Sequence, residues 1–395
     1  MTHTFFKNVT KWVILVAIVL SVIELSCYFL FKIEHMSTYT NYEEVKNHFR
    51  KYNVDYDELR NELQFLYFDS ILFSPYRWYS CTPNYNGKYI KTDGYGWRID
   101  RSKISENVSK IACFGGSTMF SITEDTGTIP YHLNSRLNID NITALNFGVG
   151  GYSSTTELMT LIEVLRYEKK IHYAVFYDGV NEVDRYIEFK QKHLQNKIYS
   201  CLGYPYPYGL DKAMRNHLNV IDVIDYYHSI HKPYVLRLLK ELIIYRMMPK
   251  LIKSTQSITD YDKEAKTIAN IYMCNVKDIA ALCSANNIVP FFFLQPNIFT
   301  LNDKLLTAAE KNIIANTTQY SDVDPRKLMK AVYKEIDNRK ELIEINFYDI
   351  SDLLNSYPKD DYYIDDCHLY SNANKIVADR ILAIIANFIP KNCIM

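Results

Sequence analysis

Glycine is scarce in this chain, and neither sign of charge is in excess. Only 12 of its 395 residues are glycine, whereas 34 are tyrosine, and this composition excludes a collagen-like or low-complexity chain. The 45 basic and 45 acidic side chains balance to a formal net charge of zero. Such a balance argues against the basic surface that nucleic-acid binding requires, so we expect no nucleic acid among the partners. No internal repeat is visible.

The eight cysteines give no metal-binding pattern. We find no C-x-x-C motif and no closely spaced cluster of histidines and cysteines, and we therefore expect neither a metal nor a cofactor. Cys81, Cys201 and Cys393 fall in loop-like or terminal stretches. They could pair in an oxidising compartment, but spacing alone does not define the connectivity.

The longest apolar run covers residues 12–31 and reads W-V-I-L-V-A-I-V-L-S-V-I-E-L-S-C-Y-F-L-F. About 20 helical residues span about 30 Å, the thickness of the hydrocarbon core of a bilayer. Glu24 opposes insertion by about 3 kcal/mol, which the surrounding aliphatic residues outweigh. Lys7 and Lys11 precede the run and favour a cytoplasmic amino end. We predict that residues 1–35 form a cytoplasmic tip and an uncleaved single-pass anchor in the bacterial inner membrane. A buried signalling helix is the alternative.

Residues 36–106, between this anchor and the main domain, are predicted to form a stalk and collar on the periplasmic side. The beginning of the stretch is charged and helical in pattern. Residues 76–81 and 88–99 alternate with aromatics and glycines, which indicates short strands or a hairpin. We expect Trp97 and Arg98 to pack against the main domain, although contact with a substrate is open to them.

The main domain, residues 107–395, repeats the pattern of strand, loop and helix, which is typical of a parallel α/β sheet. Its predicted strands cover residues 110–114, 142–147, 172–178, 288–294 and 344–348, and its predicted helices include 155–167 and 264–285. Residues 184–262 are too long for a simple crossover and are predicted to be a helical insertion. Its tyrosines in C-L-G-Y-P-Y-P-Y-G could stack on sugar rings or pack on the domain. Its basic amphipathic helix could cover the site or touch a membrane.

The most informative stretch is I-A-C-F-G-G-S-T-M-F, in which a glycine pair ends an apolar strand directly before Ser117. A serine on such a turn lies near the amides of the following helix, where an oxyanion can be stabilised. The hydrolase elbow G-x-S-x-G is absent, because Met119 stands in place of its second glycine.

The later strands also end in residues that carry chemistry. Ligands bind beyond the carboxyl ends of the strands in parallel sheets, so residues that follow different strands meet at one rim. The segments concerned are N-F-G-V-G-G-Y-S-S (146–154), D-G-V-N-E (178–182), Q-P-N (295–297) and D-D-C-H-L (365–369). A nucleophile, a glycine turn, an amide side chain and an Asp/His pair are therefore predicted to converge.

In this order, the segments resemble the blocks of the SGNH hydrolase superfamily, also called the GDSL esterases. The resemblance is to its membrane-anchored bacterial members with an F-G-G-S-T first block, and it extends over residues 110–388 apart from the insertion. It implies a three-layer, flavodoxin-like parallel sheet. Two positions depart from the family pattern: Glu182 stands where the third block usually has Asp, and Ala373 where a glycine often follows the histidine.

The resemblance and the chemistry imply the same roles. Ser117 needs a base, because a free hydroxyl is hardly ionised at neutral pH, and His368 is the expected base. Asp365 is expected to orient its ring, with Asp366 as the alternative, since in an extended segment Asp366 shares a side with His368. The expected oxyanion hole consists of the amides of Ser117 and Gly151 and the side chain of Asn181.

These expectations describe a membrane-anchored serine esterase that removes O-acyl groups, acetyl groups in the first place, from an extracytoplasmic glycan. Its partners would be the membrane and an acylated carbohydrate or other small ester. An O-acyltransferase with the same triad is the alternative enzyme, and it would need a multispan membrane partner. A non-catalytic scaffold in the cell envelope is the alternative from another class of protein.

Overall fold

The computed structural model describes residues 42–74, 77–99, 108–191, 260–302, 305–319, 324–340 and 344–395. The predicted anchor, Cys201 and the middle of the predicted insertion lie outside these ranges. Among the helices of the described ranges, none combines the length and the apolar character that a membrane crossing requires.

The strands are β1 (Leu72–Ser74), β2 (Trp78–Ser80), β3 (Ser109–Gly115), β4 (Ile142–Asn146), β5 (Ile171–Asp178), β6 (Val289–Leu294) and β7 (Phe347–Asp349). The last five form one parallel sheet in the order β4-β3-β5-β6-β7. The predicted α/β fold with a parallel sheet is thereby confirmed. Its strand order is that of flavodoxin-like proteins.

The helices are α1 (Tyr42–Arg50), α2 (Tyr56–Gln64), α3 (Ser117–Phe120), α4 (Ile129–Asn134), α5 (Ser154–Tyr167), α6 (Val180–Gln191), α7 (Tyr261–Ala285), α8 (Ala308–Gln319), α9 (Pro325–Lys340) and α10 (Ser371–Ile385). Helix α6 continues to Gln191 and α7 begins at Tyr261, so both described ends of the predicted insertion (184–262) are parts of helices that pack on one another.

The sheet is covered on both faces, because adjacent residues of a strand point to opposite sides. Phe291 of β6 contacts Phe388, which follows α10. Phe292 is paired with Phe347 of β7, and Phe347 contacts Tyr272 of α7. Helices α10 and α7 therefore lie on opposite faces, which gives three layers. This double cover is why β3 and β6 read as nearly continuous apolar runs.

An aromatic ladder crosses the middle of the sheet. The ring of Phe176 in β5 stacks on Phe114 of β3 at 4.8 Å and on Phe292 of β6 at 5.1 Å. All three side chains are fully buried. Each such ring pair adds about 0.5–1.5 kcal/mol beyond the burial of its area. The three strands are thus held together just below the edge at which their loops begin.

The collar contains a predicted strand within residues 76–81 but differs from its prediction at residues 88–99. Strands β1 and β2 form a short antiparallel pair over part of the predicted segment 76–81. Residues 88–99 form turns with two isolated bridges, because Gly96 has a φ of +82° and reverses the chain there. The strand predicted at 344–348 is also displaced, since only Phe347–Asp349 pairs with β6.

Two further expectations concern buried side chains. Trp97 and Arg98 are each 2 % exposed, so both pack inside the protein. Cys81 and Cys393 are buried free thiols. The two thiols are therefore not joined to each other in this structure, and Cys201 lies outside the described residues.

Candidate active site

Ser117 is the first residue of α3, a single helical turn that starts where β3 ends. Gly115 allows this tight approach, because a Cβ there would lie 2.6 Å from the Cβ of Met119 and 3.0 Å from the carbonyl oxygen of Tyr177. The turn closes at Ser121, whose amide donates to the carbonyl oxygen of Ser117 at 2.8 Å. The predicted strand–turn–helix context of Ser117 is what the structure shows.

Buried Arg98 of the collar fixes the segment that follows this turn. Its guanidinium donates to the carbonyl oxygens of Phe120, Ser121 and Thr123 at 2.7–2.8 Å. It also pairs with Asp125 at 3.0 Å, and both charged side chains are almost completely buried. From the sequence, packing was expected for Arg98 and contact with a substrate was left open. Its five donors in a planar fork explain why one arginine can hold three carbonyls and a carboxylate.

The glycine loop after β4 is hydrogen-bonded to the serine turn. Asn146 donates from Nδ2 to the carbonyl oxygen of Met119 at 3.0 Å and accepts from the amide of Gly148 at 2.9 Å. The amide of Val149 donates to the carbonyl oxygen of Gly115 at 3.2 Å. The first and second sequence blocks are therefore one connected unit, with Asn146 as the side chain that joins them.

Gly151 lies at the far end of that loop in the left-handed region, with a φ of +77°. A side chain there would be strained and would also meet the hydroxyl of Tyr79 at 2.9 Å. Tyr79 in turn donates to the carbonyl oxygen of Gly150 at 2.7 Å. The collar thus shapes the loop that carries the predicted oxyanion donor.

Asn181, in the first turn of α6, lies beside the serine turn. Its Nδ2 donates to the carbonyl oxygen of Tyr152 at 2.6 Å. A Cβ added to Gly116 would overlap that same Nδ2, so the amide lies directly against the residue before Ser117. The structure therefore brings the residues next to Ser117, the Gly151 loop and Asn181 together.

His368 and Asp365 form a hydrogen-bonded pair in the loop before α10. The ring Nδ1 lies 2.6 Å from Oδ2 of Asp365. The other oxygen, Oδ1, accepts from the backbone amides of Cys367 and His368 at 3.0 and 2.8 Å. These two bonds fix the carboxylate and hence the ring that it holds.

The opposite nitrogen, Nε2 of His368, is buried and has no hydrogen-bond partner within the described ranges. Ser117 and His368 are therefore not hydrogen-bonded in this structure. Hydrogen bonds of this kind are often long before substrate binds. The negative charge of Asp184 in α6 also acts to raise the pKa of His368.

The electrostatics of the pair favour an imidazolium. Desolvation lowers the pKa of His368, but the charge and the hydrogen bond of Asp365 outweigh it, and the pKa lies above its ordinary value. Desolvation raises the pKa of Asp365, whereas His368 and the two backbone amides lower it, and the pKa lies below its ordinary value. A proton accepted at Nε2 would therefore be stabilised by a carboxylate that stays ionised.

Asp366 does not hold the ring. In this structure the carboxylate at Nδ1 is that of Asp365, while the backbone oxygen of Asp366 accepts from the amide of Ile298 at 2.9 Å. Desolvation and the neighbouring charge of Asp365 raise the pKa of Asp366 to about 6. The turn around Asp365 decides this, because the segment is not extended at that point.

Three carboxyl groups that the sequence did not predict as a cluster, those of Glu157, Asp178 and Glu182, are buried below the loops. Glu182, noted in the sequence only as a departure from the family pattern, accepts from the amide of Ser154 at 2.6 Å. Burial is the largest cause that raises the pKa of Glu182 to about 8, that of Asp178 to about 6, and that of Glu157 well above its usual range. The hydrogen bond links the first turn of α6 to the first turn of α5. The available signal in the sequence was Asp178, an acidic residue at the end of the apolar strand β5.

No protein-family model matches this chain, and no curated protein matches it. Similar solved structures exist, at low identity. A lipolytic protein of the G-D-S-L family from Desulfitobacterium hafniense is 10 % identical, with 70 % of this chain and 99 % of that chain covered and a TM-score of 0.35. A catalytic mutant of an acetylxylan esterase from Geobacillus stearothermophilus is also 10 % identical, with 71 % and 96 % covered and a TM-score of 0.35.

A GDSL-like lipase from Bacteroides thetaiotaomicron gives 10 % identity, 74 % and 93 % coverage and a TM-score of 0.35. The descriptions of the Desulfitobacterium and Bacteroides structures name the family that the sequence blocks resemble. At such scores the likeness carries no argument about chemistry.

Proposed function

We propose that this chain is a serine esterase of the SGNH type, with Ser117 as nucleophile, His368 as general base and Asp365 as the carboxylate that orients it. The observation that carries the proposal is the Asp365–His368 pair, whose buried Nε2 lacks a partner. An imidazole held at Nδ1 by a carboxylate has its basic lone pair at Nε2, which is the arrangement that general-base catalysis needs.

The first step transfers the hydroxyl proton of Ser117 to Nε2 of His368 while Oγ bonds to the carbonyl carbon of the ester. The charge that develops on the carbonyl oxygen would be held by the amides of Ser117 and Gly151 and the second N–H of Asn181. His368 then gives its proton to the leaving alcohol. Water attacks the acyl-enzyme with His368 as base again, and Ser117 regains its proton when the acid leaves.

For substrate and location, the proposal is an O-acetylated or otherwise O-acylated glycan outside the cytoplasm. The support is the apolar run at residues 12–31, whose predicted topology leaves the catalytic part on the periplasmic side. Reporter fusions after residue 40 test it. Enzymes that are active only outside the cytoplasm should function in the fusion, and reporters that are active only inside should not. The opposite pattern would remove the proposed location.

The nucleophile is tested with a fluorophosphonate probe on the full chain. Wild-type protein should be labelled and Ser117→Ala should not. Ser135→Ala is the matched control, because Ser135 is exposed in the segment after α4 and should label like wild type. Turnover of p-nitrophenyl acetate should fall by about 10⁶-fold in Ser117→Ala. Labelling of Ser117→Ala at the wild-type rate would falsify the mechanism.

Hydrolysis and acyl transfer share the acyl-enzyme and differ in the second nucleophile. In an esterase, water attacks the acyl-enzyme. In a transferase, a bound sugar acceptor excludes water and its hydroxyl attacks the acyl-enzyme instead. The protein should therefore release acetate from an acetylated glycan. Offering a de-acetylated glycan together with an acetyl donor is the control. Preferential transfer to the sugar would replace hydrolysis by the O-acyltransferase reaction while leaving the triad in place.

A further inference from the structure

One cluster of metal-binding atoms lies at the histidine loop. The ligand atoms of Asp365, Cys367 and His368 all lie within 4.8 Å of one another. The Sγ of Cys367 is 3.6 Å from Nδ1 of His368, and Oδ2 of Asp365 is 2.6 Å from the same nitrogen. Cys367 and His368 are adjacent in the sequence, although no cluster of histidine and cysteine was expected from it.

We propose that Asp365, Cys367 and His368 form an inhibitory binding site for Zn²⁺ or a similar thiophilic divalent cation. Zinc takes sulfur, nitrogen and carboxylate ligands at about 2.3, 2.0 and 2.1 Å. Two ligands of one tetrahedral zinc, a sulfur and a nitrogen, are then about 3.6 Å apart. That separation is the one between Sγ of Cys367 and Nδ1 of His368.

The carboxylate has to move aside. A tetrahedral site needs about 3.3 Å between a nitrogen and an oxygen ligand, so Oδ2 of Asp365 would move away from Nδ1 and swing off the axis of the Nδ1 lone pair, which the metal takes. The side chain of Asp365 is 45 % exposed, whereas that of His368 is 17 % exposed. The metal can therefore enter from the solvent side of Asp365, and water can supply the fourth ligand.

Binding would switch off the base through its tautomer. The cation binds Nδ1 of the neutral ring, so the one remaining ring proton lies on Nε2, and the second proton of an imidazolium leaves to solvent. The thiol of Cys367 loses its proton to solvent and binds as thiolate. A ring with its proton on Nε2 cannot accept the proton of Ser117. The binding of metal is independent of the proposed function, whereas the inhibition rests on it.

Two readouts separate these parts. Co²⁺, which takes the same ligands, reports binding through the thiolate-to-cobalt charge-transfer absorption of a cysteine ligand. Zn²⁺ titrated against p-nitrophenyl acetate hydrolysis reports inhibition, each variant being normalised to its own rate in chelator. We expect both signals in the wild-type full chain. We also expect the Co²⁺ signal in Ser117→Ala, which tests the site without any catalysis.

Cys367→Ser should weaken inhibition by Zn²⁺ at least about tenfold and remove the charge-transfer band, because the soft ligand is lost. Cys274→Ser is the matched control, since Cys274 is the exposed free thiol on α7 and should change neither signal. If Cys367→Ser fails to fold, the Co²⁺ spectrum of the double variant Ser117→Ala, Cys274→Ser decides whether the band comes from Cys274. A band that disappears with Cys274, or none at all in wild type, overturns the proposal.

Discussion

The side-chain amide of Asn181 lies directly beside the Cα of Gly116, with no room for a methyl group between them. The same space is bounded by the carbonyl oxygen of Tyr152, which would be 2.9 Å from a Cβ at Gly116. Asn181 donates to that carbonyl. The residue before Ser117 is thus a glycine because the Asn181 amide and the Tyr152 carbonyl are packed against it.

Gly116→Ala should therefore abolish most of the activity by displacing Asn181. We expect kcat to fall by at least about 10²-fold, the effect of losing one oxyanion donor. Gly94→Ala is the control, because the nearest atom to a Cβ there is 3.8 Å away. Steady-state hydrolysis of p-nitrophenyl acetate measures both. Equal activities of the two variants would contradict the proposed position of Asn181.

Asn181→Ala removes the donor itself without moving Gly116. We expect a loss of about 10² to 10³ in kcat, with fluorophosphonate labelling slowed but still present, because Ser117 and His368 remain. Removal of the nucleophile should instead abolish labelling. A loss of labelling in Asn181→Ala as complete as in Ser117→Ala would show that Asn181 does more than stabilise an oxyanion.

Asp365→Asn and Asp366→Asn distinguish the two neighbouring carboxylates. The first replaces the group at Nδ1 of His368 and should lower kcat by about 10⁴-fold, since the ring is then held in the wrong tautomer. The second leaves that hydrogen bond intact and should retain activity within about tenfold. Burst and steady-state kinetics on the same ester measure the ratio. A larger loss in Asp366→Asn would reverse the assignment.

Arg98→Met tests how strongly the collar holds the serine turn. It removes the guanidinium that pairs with buried Asp125 at 3.0 Å and donates to three carbonyl oxygens, so the free energy of unfolding should fall by about 3–5 kcal/mol. Lys88→Met breaks an exposed ion pair with Glu58 and should change stability little. Urea denaturation followed by tyrosine and tryptophan fluorescence compares them. Equal effects would mean that Arg98 does not hold the turn.

The buried carboxyl of Glu182 predicts a pH dependence of stability. The carboxyl titrates near 4.5 when unperturbed, whereas burial raises its pKa in the folded protein to about 8. The folded state binds the extra proton between these values. The stabilisation that the neutral carboxyl contributes to the free energy of unfolding is therefore complete below the unperturbed pKa. It is lost as the pH rises through the folded-state pKa, by up to about 1.4 kcal/mol per pH unit.

Glu182→Gln should flatten that slope, because glutamine is neutral at every pH and keeps an oxygen for the amide of Ser154. Urea unfolding between about pH 5 and 8 gives the slopes. Glu58→Gln is the control, since the Glu58 side chain is exposed, and it should follow the wild-type slope. An unchanged slope in Glu182→Gln would show that this carboxyl is ionised in the folded protein.

The sequence by itself determined the layered fold and the order of the chemical groups. The aliphatic and aromatic run of each core strand is nearly continuous, because both faces of a parallel sheet are buried, and such runs are visible in one dimension. The glycines, Asn181 and the Asp/His pair each follow a strand, so the parallel topology alone sends them to one edge. The predicted edge strand at 344–348 was displaced because few residues pair there and the pattern is weak.

The tertiary structure decided what depends on contacts between segments far apart in the chain. Arg98 reads as an ordinary charged residue of the collar, and only packing against residues 120–125 makes it a buried clamp. Glu182 reads as a conservative departure, yet its extra methylene reaches the first turn of α5. The choice of Asp365 over Asp366 depends on a local turn. A sequence pattern shows the spacing of apolar and polar residues along the chain. Hydrogen bonds and desolvation depend on residues that are near in space but distant in sequence, and the pattern does not show these.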